Sequence, residues 1–174
     1  IPNNQKITYT ENPVVLEGTL TVSENNDGIT PDDLTITYYD DSDNEIERPT
    51  DVGKYKVIYS YDGPNYKGNL EVEFEIVKAN SPLPPEVTAN LVGTRGNNIS
   101  TVTLETEGLT WDDDTMKISS GTTNYPATYI KNNDSNNYNP IKVNIPITGK
   151  SIIDINTSVE GTGGTISQSI TDVY

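Results

Sequence analysis

The chain has 174 residues, 32% of them hydrophobic, and a formal net charge of −15, with neither cysteine nor histidine. Without cysteine there are no disulfides, thiol nucleophiles or cysteine-based zinc sites. Without histidine there is no Ser-His-Asp triad, and the commonest general acid/base is missing.

Residues 1–79 hold 16 acids against 6 bases. An acidic surface disfavours both the phosphate backbone and anionic lipid, so neither nucleic acid nor membrane contact is expected within this segment. The 11 tyrosines supply apolar area for a small core. Ile1-Pro-Asn-Asn4 has no signal-peptide character and no apolar run reaches membrane-spanning length. The chain therefore reads as a piece excised from a longer protein, expected as a monomer.

Lys6–Thr10, Val14–Val22 and Leu34–Tyr39 read as strands from their Thr, Val, Ile and Tyr content. Ser23–Asp33 reads as a loop with at most a helical turn at Thr30-Pro-Asp-Asp33. Asp40-Asp-Ser-Asp-Asn-Glu45 is the densest set of oxygen ligands. It lacks the glycine and downstream glutamate of an EF-hand loop and falls where a hairpin turns, so a solvated turn is favoured over a calcium site.

Tyr55–Tyr61 alternates Tyr55, Val57, Tyr59 and Tyr61 against Lys56, Ile58 and Ser60. Leu70–Val77 alternates Leu70, Val72, Phe74 and Ile76 against three glutamates. With the turn cluster Asp62–Gly68 between them, the two runs write one hairpin with a buried face and a solvated one.

Residues 80–86 form a proline-rich linker, because three prolines in four residues cannot donate to a sheet ladder. It separates a first β module, 1–79, from a second, 87–149. In the second, Thr88–Leu91, Thr101–Leu104, Lys117–Ser119, Tyr125–Ile130 and Ile141–Ile147 are expected strands. Tyr125–Tyr129 echoes Tyr55–Tyr59, Asn137-Tyr138 echoes Asn65-Tyr66, and Lys142–Ile147 echoes Glu71–Ile76. An internal repeat of this kind points to tandem modules rather than one enzyme core. Residues 150–174 read as a partial third β unit or an appended hairpin, with a strand at Ile152–Ile155. Gly161-Thr-Gly-Gly164 there is not a phosphate loop, since no Lys-Ser/Thr follows.

Trp111-Asp-Asp-Asp114 sets an aromatic ring beside carboxylates, an arrangement that binds sugars, but a lone tryptophan in a small domain is favoured as a core anchor. Glycoside hydrolysis needs two carboxylates across a cleft, and nothing in the sequence predicts one. Asn98-Ile-Ser100 and Asn156-Thr-Ser158 match the glycosylation sequon. A Lys–Asn isopeptide cross-link needs lysine, asparagine and an acid buried together, which spacing does not indicate. No catalytic, cofactor-binding or metal-ligating residue is expected, and no cofactor.

Ile7–Thr10, Ile36–Tyr39, Pro49-Thr-Asp-Val-Gly-Lys-Tyr55, Asn65–Gly68 and Phe74–Ala79 follow each other in an order and spacing that resembles the MBG/YDG-type immunoglobulin-like repeats of bacterial cell-surface proteins. Leu109-Thr-Trp111, Ala127-Thr-Tyr129, Asn136–Asn139 and Val143–Ile147 look like a companion module. The acids Asp112–Asp114 stand where relatives tend to have a lysine-rich or proline-bearing loop.

The resemblance implies an all-β fold of tandem small antiparallel immunoglobulin-like β-sandwich modules, with β-grasp-like sheets as the alternative. It implies a non-enzymatic stalk or adhesion segment, extracellular or on a bacterial surface, whose glycan or protein partners are met through the parent protein. It also implies that Gly53 permits a turn. The alternative function is a carbohydrate-binding module using Trp111 and the neighbouring acids.

Overall fold

The structure, a computed structural model, describes residues 5–16, 29–84 and 91–153. Among these the chain is built of β-strands, with helical geometry confined to 3₁₀ turns at Pro31–Asp33, Ile99–Thr101 and Lys131–Asn133. The strands are β1 (Gln5–Thr8), β2 (Thr35–Asp40), β3 (Glu45–Ile46), β4 (Gly53–Asp62), β5 (Lys67–Val77), β6 (Ala79–Asn80), β7 (Leu91–Thr94), β8 (Leu109–Trp111), β9 (Gly121–Tyr129), β10 (Tyr138–Asn139) and β11 (Ile141–Lys150). The fold is all-β. Two compact units divide it: unit 1 comprises Ile1–Ser81 with Asp134–Asn139, and unit 2 comprises Pro82–Asn133 with Pro140–Tyr174.

In unit 1 the sheet order is β1-β5-β4-β2-β3. The period-2 pattern decides which face is buried. Val57 lies opposite Val72 and Tyr55 opposite Phe74, and with Tyr38, Ile76 and Val14 they form the core. On the other face Lys54 lies opposite Glu75 and Lys56 opposite Glu73. Opposite charges in directly facing positions keep that surface wet and suppress register slips, since a shift by one residue would bury the whole charged set.

In unit 2 the order is β7-β11-β9-β8. Tyr125 faces Ile145, Ala127 faces Val143 and Tyr129 faces Ile141. Ile99, Val102 and Ile118, from outside the strands, close over this face. Gly149 is required here because a Cβ would fall inside the van der Waals radius of the Ser119 carbonyl oxygen. Gly108 has φ +79°, and its Cβ would strike the Ile130 carbonyl.

The two sheets share one connectivity. In each, the first strand pairs in parallel with the last (β1 with β5, β7 with β11), the last pairs antiparallel with the one before it in that sheet (β4, β9), and that strand pairs antiparallel with the second (β2, β8); unit 1 adds the two-residue β3 beside β2. The sheets are thus mixed rather than antiparallel throughout. First and last strands run the same way because a long connection, not a hairpin, separates them in sequence.

Elsewhere the expected elements shift. Thr101–Leu104 is not a strand: the chain makes a 3₁₀ turn at Ile99–Thr101, and Val102 points its side chain into the core with its nitrogen bonded back to Ile99 O at 2.8 Å. Lys117 forms only an isolated bridge to Asn98. Of Val14–Val22 the described part, Val14–Leu16, is not in a strand. Asn137-Tyr138, read from sequence as part of the second module, lies in unit 1. Residues 17–22, Thr88–Asn90, Asn156 and Gly161–Gly164 lie outside the described residues.

Candidate functional site

The Asp40–Glu45 segment closes the turn from β2 to β3. The Asp40 carboxylate accepts from the Ser42 backbone nitrogen at 2.8 Å, from the Asn44 backbone nitrogen at 2.9 Å and from the Asn44 side-chain amide at 3.0 Å. These bonds, the Asn44 side chain first, hold its titration below the usual carboxyl value. Asp43 takes φ +61° and pairs with Lys56 at 2.6 Å. Asp40 is thus engaged in the turn and Asp43 with a lysine. Among the described residues no group of three or more His, Cys, Asp or Glu side chains is arranged to hold a metal ion.

Trp111 ends β8 and packs against the unit 2 core, donating its indole N–H to Val102 O at 3.1 Å. Asp112 turns to the outer face, where it accepts from the Thr128 hydroxyl and, at 2.9 Å, from Lys142 Nζ. The Thr128 bond first, then Lys142, lowers the Asp112 titration. Asp113 instead accepts from the Thr115 hydroxyl and backbone nitrogen at 2.6 and 3.0 Å. Asp112 and Asp113 are therefore engaged with different partners. Lys117 Nζ donates to Asn98 Oδ1 at 2.6 Å, but the lysine is exposed rather than buried with an acid as an isopeptide cross-link requires.

A hollow of about 530 Å³ on unit 1 is lined by Lys6, Lys54, Lys56, Glu73, Glu75 and Asp43, among others. Two of its three lysines are paired with acids, Lys6 with Glu75 at 3.2 Å and Lys56 with Asp43 at 2.6 Å.

The densest buried polar constellation is around Asn137, in unit 1. Its Oδ1 accepts from the Val52 nitrogen at 2.9 Å, while Nδ2 donates to Asp51 and to Asp134, each at 3.0 Å. The neighbouring Tyr138 sets its ring edge-on to Tyr9, centroids 5.3 Å apart, and donates its hydroxyl to Glu11 at 2.6 Å. The Ala79 nitrogen donates to Asn137 O at 3.0 Å and the Ser81 nitrogen to Asn139 O at 3.1 Å. The sequence marks Asn137-Tyr138 as an echo of Asn65-Tyr66 and as part of the Asn136–Asn139 motif. Nothing in residue type foretells that one pair is buried.

Gly53, expected to permit a turn, opens β4 outside the left-handed region. A Cβ there would meet the Tyr55 hydroxyl at 2.9 Å, and that hydroxyl donates to Asp51 O at 2.9 Å. The glycine makes room for the tyrosine.

No family model matches the chain, nor does any curated protein or solved structure.

Proposed function

We propose that this chain is a non-catalytic segment of two tandem β modules, serving as a stalk or adhesion unit of an extracellular or surface-attached bacterial protein. The observation that carries the reading is the shared connectivity: both sheets run first–last–penultimate–second with a parallel first–last pair, unit 1 adding the short β3 at its edge. A part repeated in one chain is more readily a building unit than a site. One main sheet per unit among the described residues favours the β-grasp-like form over the two-sheet immunoglobulin-like form.

The titrating groups support a non-catalytic role. Every carboxyl with a displaced titration among the described residues (Asp33, Asp40, Asp112, Asp113 and Asp134) is lowered by hydrogen bonds. A general acid working near neutrality needs its carboxyl raised instead. The surface-protein setting rests on the MBG/YDG-like motifs of residues 5–79.

A glycan array on the chain and on Trp111→Ala tests the reading. No saccharide should be held through Trp111, because its indole is engaged with the core. Binding lost in Trp111→Ala would overturn the spacer role in favour of a carbohydrate-binding module.

A further inference from the structure

We infer that Asp134–Asn139 is a strap that makes the two units unfold as one: it completes unit 1, while the chain on either side of it is held in unit 2. Coupling of this kind is independent of whether the chain is a spacer or a binding module.

By composition the chain divides at the proline-rich stretch 80–86 into two contiguous modules. Unit 1 is instead discontinuous. It takes Ile1–Ser81 and then Asp134–Asn139, whereas Pro82–Asn133 and Pro140–Tyr174 belong to unit 2. The chain therefore leaves or re-enters unit 1 after Ser81, after Asn133 and after Asn139.

Inside unit 1 the strap supplies acceptors to donors of the main body. Asn137 Oδ1 accepts from the Val52 nitrogen at 2.9 Å and Asn137 O from the Ala79 nitrogen at 3.0 Å. Asn139 O accepts from the Ser81 nitrogen at 3.1 Å and from the Ser81 hydroxyl at 2.8 Å. Lys78 Nζ donates to Ser135 O at 2.7 Å. Asn137, Tyr138 and Ser81 are all buried. Loss of the strap would take the acceptors from these donors and the ring of Tyr138 from Tyr9, a cost that falls on unit 1.

The strap takes its shape from its own bonds and its position from unit 2. The Asp134 carboxylate accepts from the Asn136 and Asn137 nitrogens, each at 3.1 Å, and the Tyr138 nitrogen donates to Asp134 O at 3.0 Å. The flanks are fixed in unit 2. Tyr129 and Ile141 face each other across β9 and β11, and the Ile130 nitrogen donates to Gly108 O at 2.9 Å. Only a folded unit 2 holds both flanks on that one rung. With unit 2 unfolded, the strap would reach its seat from the end of a free loop running from Pro82 onward, and closing such a loop costs entropy that grows with its length. A folded unit 2 presents the strap pre-organised, and a folded unit 1 holds the tip of the β9–β11 connection. Each unit thus stabilises the other through chain continuity alone, which joins them into one cooperative unit.

Urea unfolding of the full chain, followed at two places, tests this. Fluorescence of Trp111, the only tryptophan, reads unit 2, and the ¹⁵N–¹H signals of Val57 and Val72 read unit 1. One shared midpoint is expected. Gly149→Ala, a change inside unit 2, should lower the Val57 and Val72 midpoint by the same amount as the Trp111 midpoint. Tyr125→Phe should do so more mildly and serves if Gly149→Ala does not fold. Asn137→Ala/Tyr138→Ala releases the strap; unit 1 should then melt at lower urea than unit 2, or be unfolded from the start while Trp111 keeps its transition. Separate midpoints in the parent chain, a Trp111 midpoint that falls alone in the unit 2 variants, or coincident loss at both places in the strap variant overturns the inference.

Discussion

The Asn137 side-chain amide donates to the Asp51 carboxylate at 3.0 Å across 86 positions of sequence, while its oxygen accepts from the very next backbone nitrogen, that of Val52. One neutral side chain thus satisfies two adjacent groups ahead of β4. Asn137→Ala removes both bonds and leaves the Val52 N–H without its acceptor. The expected loss of stability is about 1–3 kcal/mol, read by urea denaturation. Asn65→Ala, at the equivalent exposed turn, should fall within about 0.5 kcal/mol of the parent chain.

Tyr125 is buried, and its hydroxyl accepts from the Ser119 nitrogen at 2.7 Å and donates to Lys117 O at 3.2 Å. Tyr125→Phe keeps the ring and orphans both backbone groups. It should cost about 1–3 kcal/mol. A Tyr125→Phe chain that melts with the parent would show that the Tyr125 hydroxyl bonds do not hold the 117–119 segment.

Three glycines separate conformation from space. Gly96 has φ +83° with nothing near a would-be Cβ. Gly96→Ala should cost only the left-handed penalty, about 1 kcal/mol. Gly108 combines φ +79° with the Ile130 carbonyl at its Cβ position, and Gly149 meets the Ser119 carbonyl. Alanine at either must push backbone apart, so both variants should lose more than Gly96→Ala. A ranking by Tm with Gly96→Ala worst would contradict this geometry.

Acid should unfold the protein through its bonded carboxylates. The Asp134 carboxyl is held below the usual 3.8 chiefly by the Asn137 side-chain amide, with backbone bonds from Asn137 and Asn136 adding to it. A folded value below the unfolded one means that the folded state binds fewer protons between the two. The associated stability is complete above about pH 4 and is lost as pH falls through the folded value. Thermal melts from pH 6 to pH 2 should show Tm falling below pH 4, and Asp134→Asn should flatten that fall. An unchanged slope would remove Asp134 from the account.

The strands with uninterrupted period-2 alternation were legible because burial on one face leaves a pattern in the residues themselves. β2, β4, β5, β9 and β11 all overlap expected strands. Val102 and Leu104 mislead by the same logic: they alternate like a strand and do turn apolar side chains to the core. Their backbone, however, lies over the sheet face rather than along its edge, so no ladder forms. Residue pattern reports which side chains are buried, and only the positions of neighbouring strands decide where backbone hydrogen bonds go.

The amino-acid order by itself determined an all-β chain without cysteine or histidine chemistry, two similar hairpins, and acids placed at turns. The tertiary structure alone decided that first and last strands pair in parallel, that Trp111 gives its N–H to the core, and that two identical Asn-Tyr pairs have different surroundings. Asn65-Tyr66 and Asn137-Tyr138 have the same side chains in equivalent turns, yet Tyr66 is 37% exposed and Tyr138 only 7%. The difference arises from what each turn meets. For Asn137-Tyr138 that is Tyr9, Glu11, Asp51 and Val52, partners more than eighty residues away that no local pattern encodes.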